Sequence, residues 1–450
     1  MNLPIDLAHE FRQVQERVSR KQASAWFHEQ RERILQLAEY HPERGAERLA
    51  GLLAAAGRRV PRYRALRGRD DLVLDDFPLT RKADLQAHFI DFVSRDDTGR
   101  MEPGRFFLTR SSGSTGQPVV LLSTAETGGL ALVVVRERLS AHLGLAEANG
   151  TVLNVGLLFD KTPLFEPVML PRPHVKCNLG GFDPDAPGIV ADYEAVVGRF
   201  PVDQITGSAS RIISLARYCL ERGIVLRPRG VIATYEQMPD SGRRFVEDVF
   251  DCPVTMLYAT SETGYAAFEC RERQMHFQDD FVLPEIVPAP GRDVADIVLT
   301  SLLSTAMPVI RYVTGDLAPA PTTCGCGLPG TVTKGLIGRA RVSLLGAEGA
   351  SYSPYALLAA LAASGIPDFQ LVQDEPGLVD LHTPGSSPSE ARAVQDIDTR
   401  LGERFGPGEG FRLRHRIGAP FVLTAGGKRN PVVQRLDLPD GPERTRYIRA

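Results

Sequence analysis

Residues 109–118 read Thr-Arg-Ser-Ser-Gly-Ser-Thr-Gly-Gln-Pro, between the β-rich runs Arg105–Leu108 and Val119–Leu122. Ser111, Ser112, Ser114 and Thr115 supply four hydroxyls, and Gly113 and Gly116 let the backbone reach positive φ. Successive N–H groups can then converge on one point as an anion nest, with the hydroxyls as further donors around a polyphosphate. A Walker loop would end in Gly-Lys-Ser/Thr and enter a helix. Here Gln117-Pro118 leads into a strand instead. Taken alone, the loop also suits a flexible Ser/Gly hairpin, and later segments decide between the two.

The first of these is Tyr258-Ala-Thr-Ser-Glu-Thr-Gly264, which follows the apolar run Val254–Leu257. The second is Ile310-Arg-Tyr-Val-Thr-Gly-Asp316, with Gly338-Arg339 downstream. A hydroxyl-rich loop, an aromatic with an acid, Thr-Gly-Asp and Gly-Arg, in that order, resemble the adenylate-forming superfamily. Within it the chain resembles the phenylacetate–CoA ligase and coenzyme F390 synthetase branch, through Ser261-Glu262 followed by Phe268-Glu-Cys270, Leu283-Pro-Glu-Ile286, and Ala306-Met-Pro-Val-Ile-Arg-Tyr312. The resemblance covers roughly residues 55–435. It implies a large N-terminal α/β domain, with β-sheets flanked by helices, and a small mobile C-terminal α+β domain.

The residue patterns agree with that class. A length of 450 residues exceeds one simple core and favours two domains. The segment 5–60 has a helical pattern, with Pro42 separating two helices. Val152–Leu158, Val231–Thr234, Val254–Leu257 and Ile297–Thr300 read as strands, with helices at Ile212–Arg222 and Gly242–Phe250. Beyond Gly338 a smaller module follows: helices at Pro354–Ala363 and Pro388–Phe405, strands at Phe369–Val372 and Leu378–His382. The domains are therefore expected at 1–337 and 340–450, with the joint at Arg339–Arg341.

Composition narrows the partners. A net charge of −3 gives no electrostatic reason to expect nucleic acid or an anionic membrane. The apolar run Leu130–Val135 stops at Arg136, far short of a membrane span. No basic stretch leads into an apolar core after Met1, and six cysteines do not suggest a disulfide framework, so a cytoplasmic enzyme is expected. Cys177, Cys219 and Cys252 read as packing residues. The chain has six lysines (21, 82, 161, 176, 334 and 428) within its 52 basic residues. A lysine in a glycine-rich turn is therefore unusual here.

Activating a carboxylate with ATP brings two anions together, so the site must supply positive charge and fixed donors. By resemblance, Ser111–Gly116 would hold the leaving phosphates, Glu262 would bind Mg²⁺, and Ser261 would donate to phosphate. Tyr258 would present a face to adenine; Asp316 and Arg339 would bind the ribose. Lys428, in Ala425-Gly-Gly-Lys-Arg429, looks like the mobile C-terminal lysine that sets a point charge between carboxylate and α-phosphate. Phe159, Gly207, Ala233, Tyr235 and Ala259 are candidate pocket liners. Cys270, His276, Cys324 and Cys326 form an accepted Cys₃His set for structural zinc, although Cys324-Gly-Cys326 is tighter than ordinary finger spacing.

Two departures stand out. The position after Gly338-Arg339-Ala340 that is usually acidic is Arg341, at the hinge that governs acceptor access. Tyr235 stands before Glu236 where relatives keep a small residue. The expected activity is conversion of an aryl or short acyl acid to an acyl-adenylate, then transfer to CoA. The alternatives are an amine, hydroxyl or carrier-protein acceptor, or a nucleotide-binding protein without catalysis. A homodimer is admitted as an assembly.

Overall fold

Three amphipathic helices open the chain, α1 (Leu7–Gln22), α2 (Ala25–Ala38) and α3 (Pro42–Arg59). Pro42 stands at the first turn of α3, where its missing N–H costs nothing. The expected pair of helices is in fact three. The additional break comes at Ser24, whose hydroxyl caps α2 by accepting from the Phe27 N–H at 3.2 Å. The computed structural model describes residues 7–96, 106–111, 118–124, 129–145, 151–156, 163–170, 172–179, 197, 200–288, 294–339, 342–385, 387–405, 408–424, 428–436 and 446–447.

A short helix α4 (Lys82–Ala87) precedes the antiparallel hairpin β1 (Phe107–Arg110) and β2 (Val120–Ser123). Helix α5 (Ala131–Leu143) then leads into strands β3 (Thr151–Val155), β4 (Phe165–Val168), β5 (His174–Asn178) and β6 (Val202–Ser208). Helix α6 (Ala209–Arg222), β7 (Gly230–Thr234), helix α7 (Asp240–Phe250) and β8 (Val254–Thr260) continue the βαβ alternation. Strands β5-β3-β6-β7-β8 run parallel in that spatial order. Because β3 has β5 on one side and β6 on the other, the strand order reverses beside it. The carboxyl ends of these strands at such a switch point are where open α/β sheets bind ligands. Gly207 lies there with φ +155°, and a Cβ on it would come within 2.6 Å of the Val155 carbonyl carbon. Glycine is what lets β6 close on β3.

Antiparallel strands β9 (Gly264–Glu269) and β10 (Met275–Phe277) extend the sheet past β8. A second sheet follows from β11 (Val282–Pro288), β12 (Ala295–Ser301) and β13 (Tyr312–Ala318). Short strands β14 (Pro321–Thr322) and β15 (Val332–Thr333) return to the first sheet, and β16 (Gly338–Arg339) pairs with β13. After residue 341 come β17 (Leu344–Leu345), β18 (Ser351–Ser353) and helix α8 (Tyr355–Ala363). The last sheet holds β19 (Gln370–Glu375), β20 (Leu378–Thr383), β21 (Arg412–Ile417) and β22 (Val432–Gln434), flanked by helix α9 (Pro388–Arg404). Among the described residues, its buried apolar cluster, from Leu344 to Val432, takes none from the earlier chain. No helix among the described residues is long and apolar enough to cross a membrane.

Candidate active site

The turn between β8 and β9 carries Ser261 and Glu262. Its shape comes from two threonines: Thr263 N–H donates to Thr260 Oγ1 at 3.0 Å, and the two hydroxyls lie 2.8 Å apart. Ser261 is left exposed and Glu262 half-buried. From β13 the Tyr312 hydroxyl donates to Glu262 Oε1 at 3.0 Å. Burial, and then Glu262 itself, push the Tyr312 phenol well above its ordinary value, so Tyr312 stays a neutral donor.

Four residues along β13 stands Asp316, after Gly315 at φ +76°. Arg339 lies directly opposite across the β13–β16 pair, with Nε 3.0 Å from Asp316 Oδ1. The Tyr258 hydroxyl donates to Oδ2 at 2.9 Å. Burial raises the Asp316 pKa, while Arg339, Tyr258 and Lys428 hold it down. Tyr258 departs from the expected open face. It is 9% exposed, with its ring in the apolar cluster edge-on to Phe277. In this arrangement its polar tip, rather than its face, belongs to the site.

Lys428 reaches the same region from the small C-terminal sheet. Gln370, fully buried on β19, binds both ends of its loop: Nε2 donates to the Val422 and Asn430 carbonyls at 2.9 and 2.8 Å, and Oε1 accepts from Val422 N–H. The loop closes on itself through Thr424 N–H to Lys428 O at 2.8 Å. The ammonium lies 5.7 Å from the centre of the Tyr235 ring. Burial lowers its pKa, Arg339 lowers it further, and Glu236, Asp316 and Glu262 oppose them. Three acids and one guanidinium thus surround Lys428 closely enough to feel its charge.

Tyr235 itself has φ +69° and is 48% exposed. A non-glycine residue held left-handed costs on the order of 1–3 kcal/mol, and such strain clusters at ligand sites. Its ring and Asn154 Oδ1 crowd Gly156, whose added Cβ would meet them at 3.4 and 3.0 Å. Among the other expected liners, Gly207 and Ala233 are buried at the strand ends and Ala259 is exposed. Phe159 lies outside the described residues, as do Ser112, Gly113, Ser114, Thr115 and Gly116, and Ala340 and Arg341. Ser111 closes the neck of its hairpin: its N–H donates to the Val119 carbonyl and its Oγ accepts from Val119 N–H at 2.8 Å.

Sequence reasoning missed several members. Lys82 enters because Thr80 forms a parallel bridge with Tyr312 and donates Oγ1 to the Ile310 carbonyl at 2.8 Å. Burial lowers the Lys82 pKa, with Glu262 raising it and Arg339 lowering it. Scarcity of lysine was the only sequence signal for it. In the sequence Glu236 stands out only as a neighbour of Tyr235, and Gln370 carries no signal at all, since its role depends on two loop ends distant from it in sequence.

The four zinc candidates come together. Cys270, His276, Cys324 and Cys326 place one ligand atom each within 4.8 Å of one another. Cys270 Sγ and Cys324 Sγ are 3.7 Å apart, and Cys326 Sγ is 3.4 Å from His276 Nε2. A tetrahedral ion with Zn–S near 2.3 Å requires an S···S edge of about 3.8 Å. His276 Nδ1 is 3.2 Å from the Pro329 carbonyl, which suits an Nδ1–H donor and frees Nε2 as the ligand. The donor set fits zinc, and four protein ligands would close its coordination. Cys177, Cys219 and Cys252 are buried in the sheet core, as expected.

Over 373 residues the chain is 28% identical to the phenylacetate-coenzyme A ligase of Thermus thermophilus, spanning 74% of this chain and 78% of that protein. Among solved structures, 2-hydroxyisobutyryl-CoA ligase in the postadenylation state, in complex with R3-HIB-AMP, matches with a TM-score of 0.61 at 19% identity. That match covers 86% of this chain and 88% of the ligase. The chain has the adenylate-forming ligase fold and is similar to the phenylacetate–CoA ligase branch. The same hydroxyisobutyryl ligase in an open conformation with 2-HIB-AMP and CoA gives 0.53 at 19% identity, over 86% and 90% of the two chains. Protein CapK of Staphylococcus aureus is 27% identical over 126 residues, only 28% of its length. No protein-family model matches the chain.

Proposed function

We propose that this protein activates a short carboxylic acid with ATP as an acyl-adenylate and passes the acyl group to CoA. The observation that carries this is the convergence of Glu262, Asp316, Arg339 and Lys428, drawn from four separate stretches of chain, on one electrostatic cluster. Residues 1–337 act as the adenylating domain and 340–450 as the small domain that delivers Lys428. That division is supported by the separate apolar core beyond Leu344.

In the first half-reaction a carboxylate oxygen attacks the α-phosphorus and pyrophosphate leaves. Lys428 places its ammonium where the two anions meet, and the Ser111–Gly116 loop holds the departing phosphates. Asp316 and Arg339 hold the ribose, and Tyr258 fixes Asp316 from behind. Glu262 fits Mg²⁺ as a half-buried carboxylate oriented by Tyr312. Bound there, the ion supplies charge neutralisation on phosphate oxygens. Ser261, exposed beside it, donates to phosphate. Cys270, His276, Cys324 and Cys326 hold a structural zinc that joins the segment after Glu262 to the segment after Asp316.

The acid is short because the Tyr235 ring fills space beside Gly156 at the switch point. The surroundings behind it are polar, with Asn154 Nδ2 donating to Asn178 Oδ1 at 2.9 Å. Arg341, at the normally acidic hinge position, favours a second reading in which an amine, hydroxyl or carrier-protein thiol accepts the acyl group. Mass spectrometry of protein with ATP, Mg²⁺, CoA and a panel of short acids tests both. Acyl-CoA is expected. Acyl-AMP without acyl-CoA would leave an amide- or ester-forming ligase.

A further inference from the structure

We propose that Asp368 is the positioning residue that seats the Lys428 loop against the large domain during adenylation, by bridging Arg217 and Arg429. This rests on the ligase reading above. Asp368 is 2% exposed and precedes β19. One carboxylate oxygen takes the Arg429 guanidinium from the lysine loop; the other lies 3.3 Å from Arg217 Nη1 on α6 of the large domain. Arg429 also presents its backbone N–H to Glu236 Oε1 at 2.7 Å. Glu236 in turn accepts from Ser210 N–H at 3.2 Å through Oε2. The residue after the candidate catalytic lysine is thus tied by its side chain to Asp368 and by its backbone to Glu236.

Shape supports the same contact. Gly242 sits inside α7, where glycine costs about 0.5–1 kcal/mol relative to alanine. A Cβ there would lie 2.8 Å from the Pro367 carbonyl oxygen and 2.6 Å from Ile213 Cδ1. Only a bare backbone lets the 366–368 segment settle on α6 and α7. Nearby, Arg244 Nη2 donates to the Ala362 carbonyl at 3.3 Å, closing a helix end. A carboxylate buried between two arginines of different domains ties them together, and parting the domains would strip it of one of its two partners, Arg217. Its effect should fall on the step that needs Lys428 in place.

The test compares wild type with Asp368→Asn, Arg217→Gln and Gly242→Ala in both half-reactions and in hydrogen exchange. Acid-dependent pyrophosphate release should fall by about tenfold or more, with KM for ATP changed by less than about threefold. Thioester formation from supplied acyl-AMP and CoA should stay within about twofold. The 428–436 peptide should exchange faster, while the β19–β20 peptides keep their wild-type protection. Arg217→Gln stands on the other domain, so it decides the matter if Asp368→Asn does not fold. Unchanged exchange in 428–436, or equal loss in both half-reactions, would overturn the proposal. If wild type releases pyrophosphate with no acid, the ligase reading fails, and the exchange data alone still decide whether Asp368 seats the loop.

Discussion

Replacing Lys428 by alanine should remove most of the first half-reaction and little of nucleotide binding. At a separation of about 4 Å and an effective dielectric near 20, one unit charge pair is worth about 4 kcal/mol. That is about a thousandfold in rate if it acted only in the transition state. Lys428 already feels Glu236, Asp316 and Glu262, so part of this attraction exists before reaction and cancels. A loss of about two orders of magnitude in kcat follows, with the Kd for ATP shifted only a few-fold. The pH profile gives an independent check. Burial and Arg339 hold the Lys428 pKa below the ordinary 10.5, so the active ammonium is lost earlier as pH rises. The alkaline limb of kcat should therefore fall below that of an exposed lysine, and Arg339→Gln should move it up. Pyrophosphate release and equilibrium ATP binding are the assays. Near-normal pyrophosphate release from Lys428→Ala would refute the assignment, as would an alkaline limb unaltered by Arg339→Gln.

Two further outcomes concern metals. Glu262→Gln keeps the hydrogen bond from Tyr312 but removes a charge, so activity should drop at low Mg²⁺ and recover partly at high Mg²⁺. A Mg²⁺ titration that matches wild type would assign the ion elsewhere. Purified protein should carry about one zinc per chain, and Cys324→Ser should lower the melting temperature by several degrees, because a structural zinc contributes folding energy directly. Substoichiometric metal, or an unchanged melting temperature, would count against the Cys₃His site.

Much of the large domain was legible in the sequence because its strands are short β-branched runs separated by helical patterns. Val231–Thr234 and Ile212–Arg222 differ from the observed elements by only a few residues at their ends. The break at Ser24 was not legible, since only a capping hydroxyl marks the boundary. The candidate site was legible where a motif carries its own chemistry, as in Ser261-Glu262 or Thr314-Gly-Asp316. It was not legible where a side chain acts through contacts between distant segments. Gln370 and Asp368 look like ordinary residues around a strand start, yet one holds the lysine loop in shape and the other joins it to α6. Tyr258 shows the limit of motif transfer. The residue type was informative, but its ring is buried and its hydroxyl donates to Asp316.

The charges of the site also explain why closure and binding should be coupled. Asp316 has both oxygens occupied, one by Arg339 and one by Tyr258, and burial disfavours its anion. Lys428 is partly buried beside Arg339, which disfavours its cation. Each group is held in an unfavourable setting that the other relieves, because the ammonium stabilises the carboxylate and the carboxylate the ammonium. A nucleotide arriving between them would bring hydroxyls for Asp316 and Arg339 and phosphate charge for Lys428 and Lys82. The docked arrangement therefore gains most when polyanion and lysine are both present. Once pyrophosphate leaves, the negative charge holding Lys428 would fall, and the contacts through Asp368 and Glu236 would be left to tie the lysine loop to the large domain. The balance between that tie and the lost phosphate charge would then set how readily the small domain moves on to the acceptor.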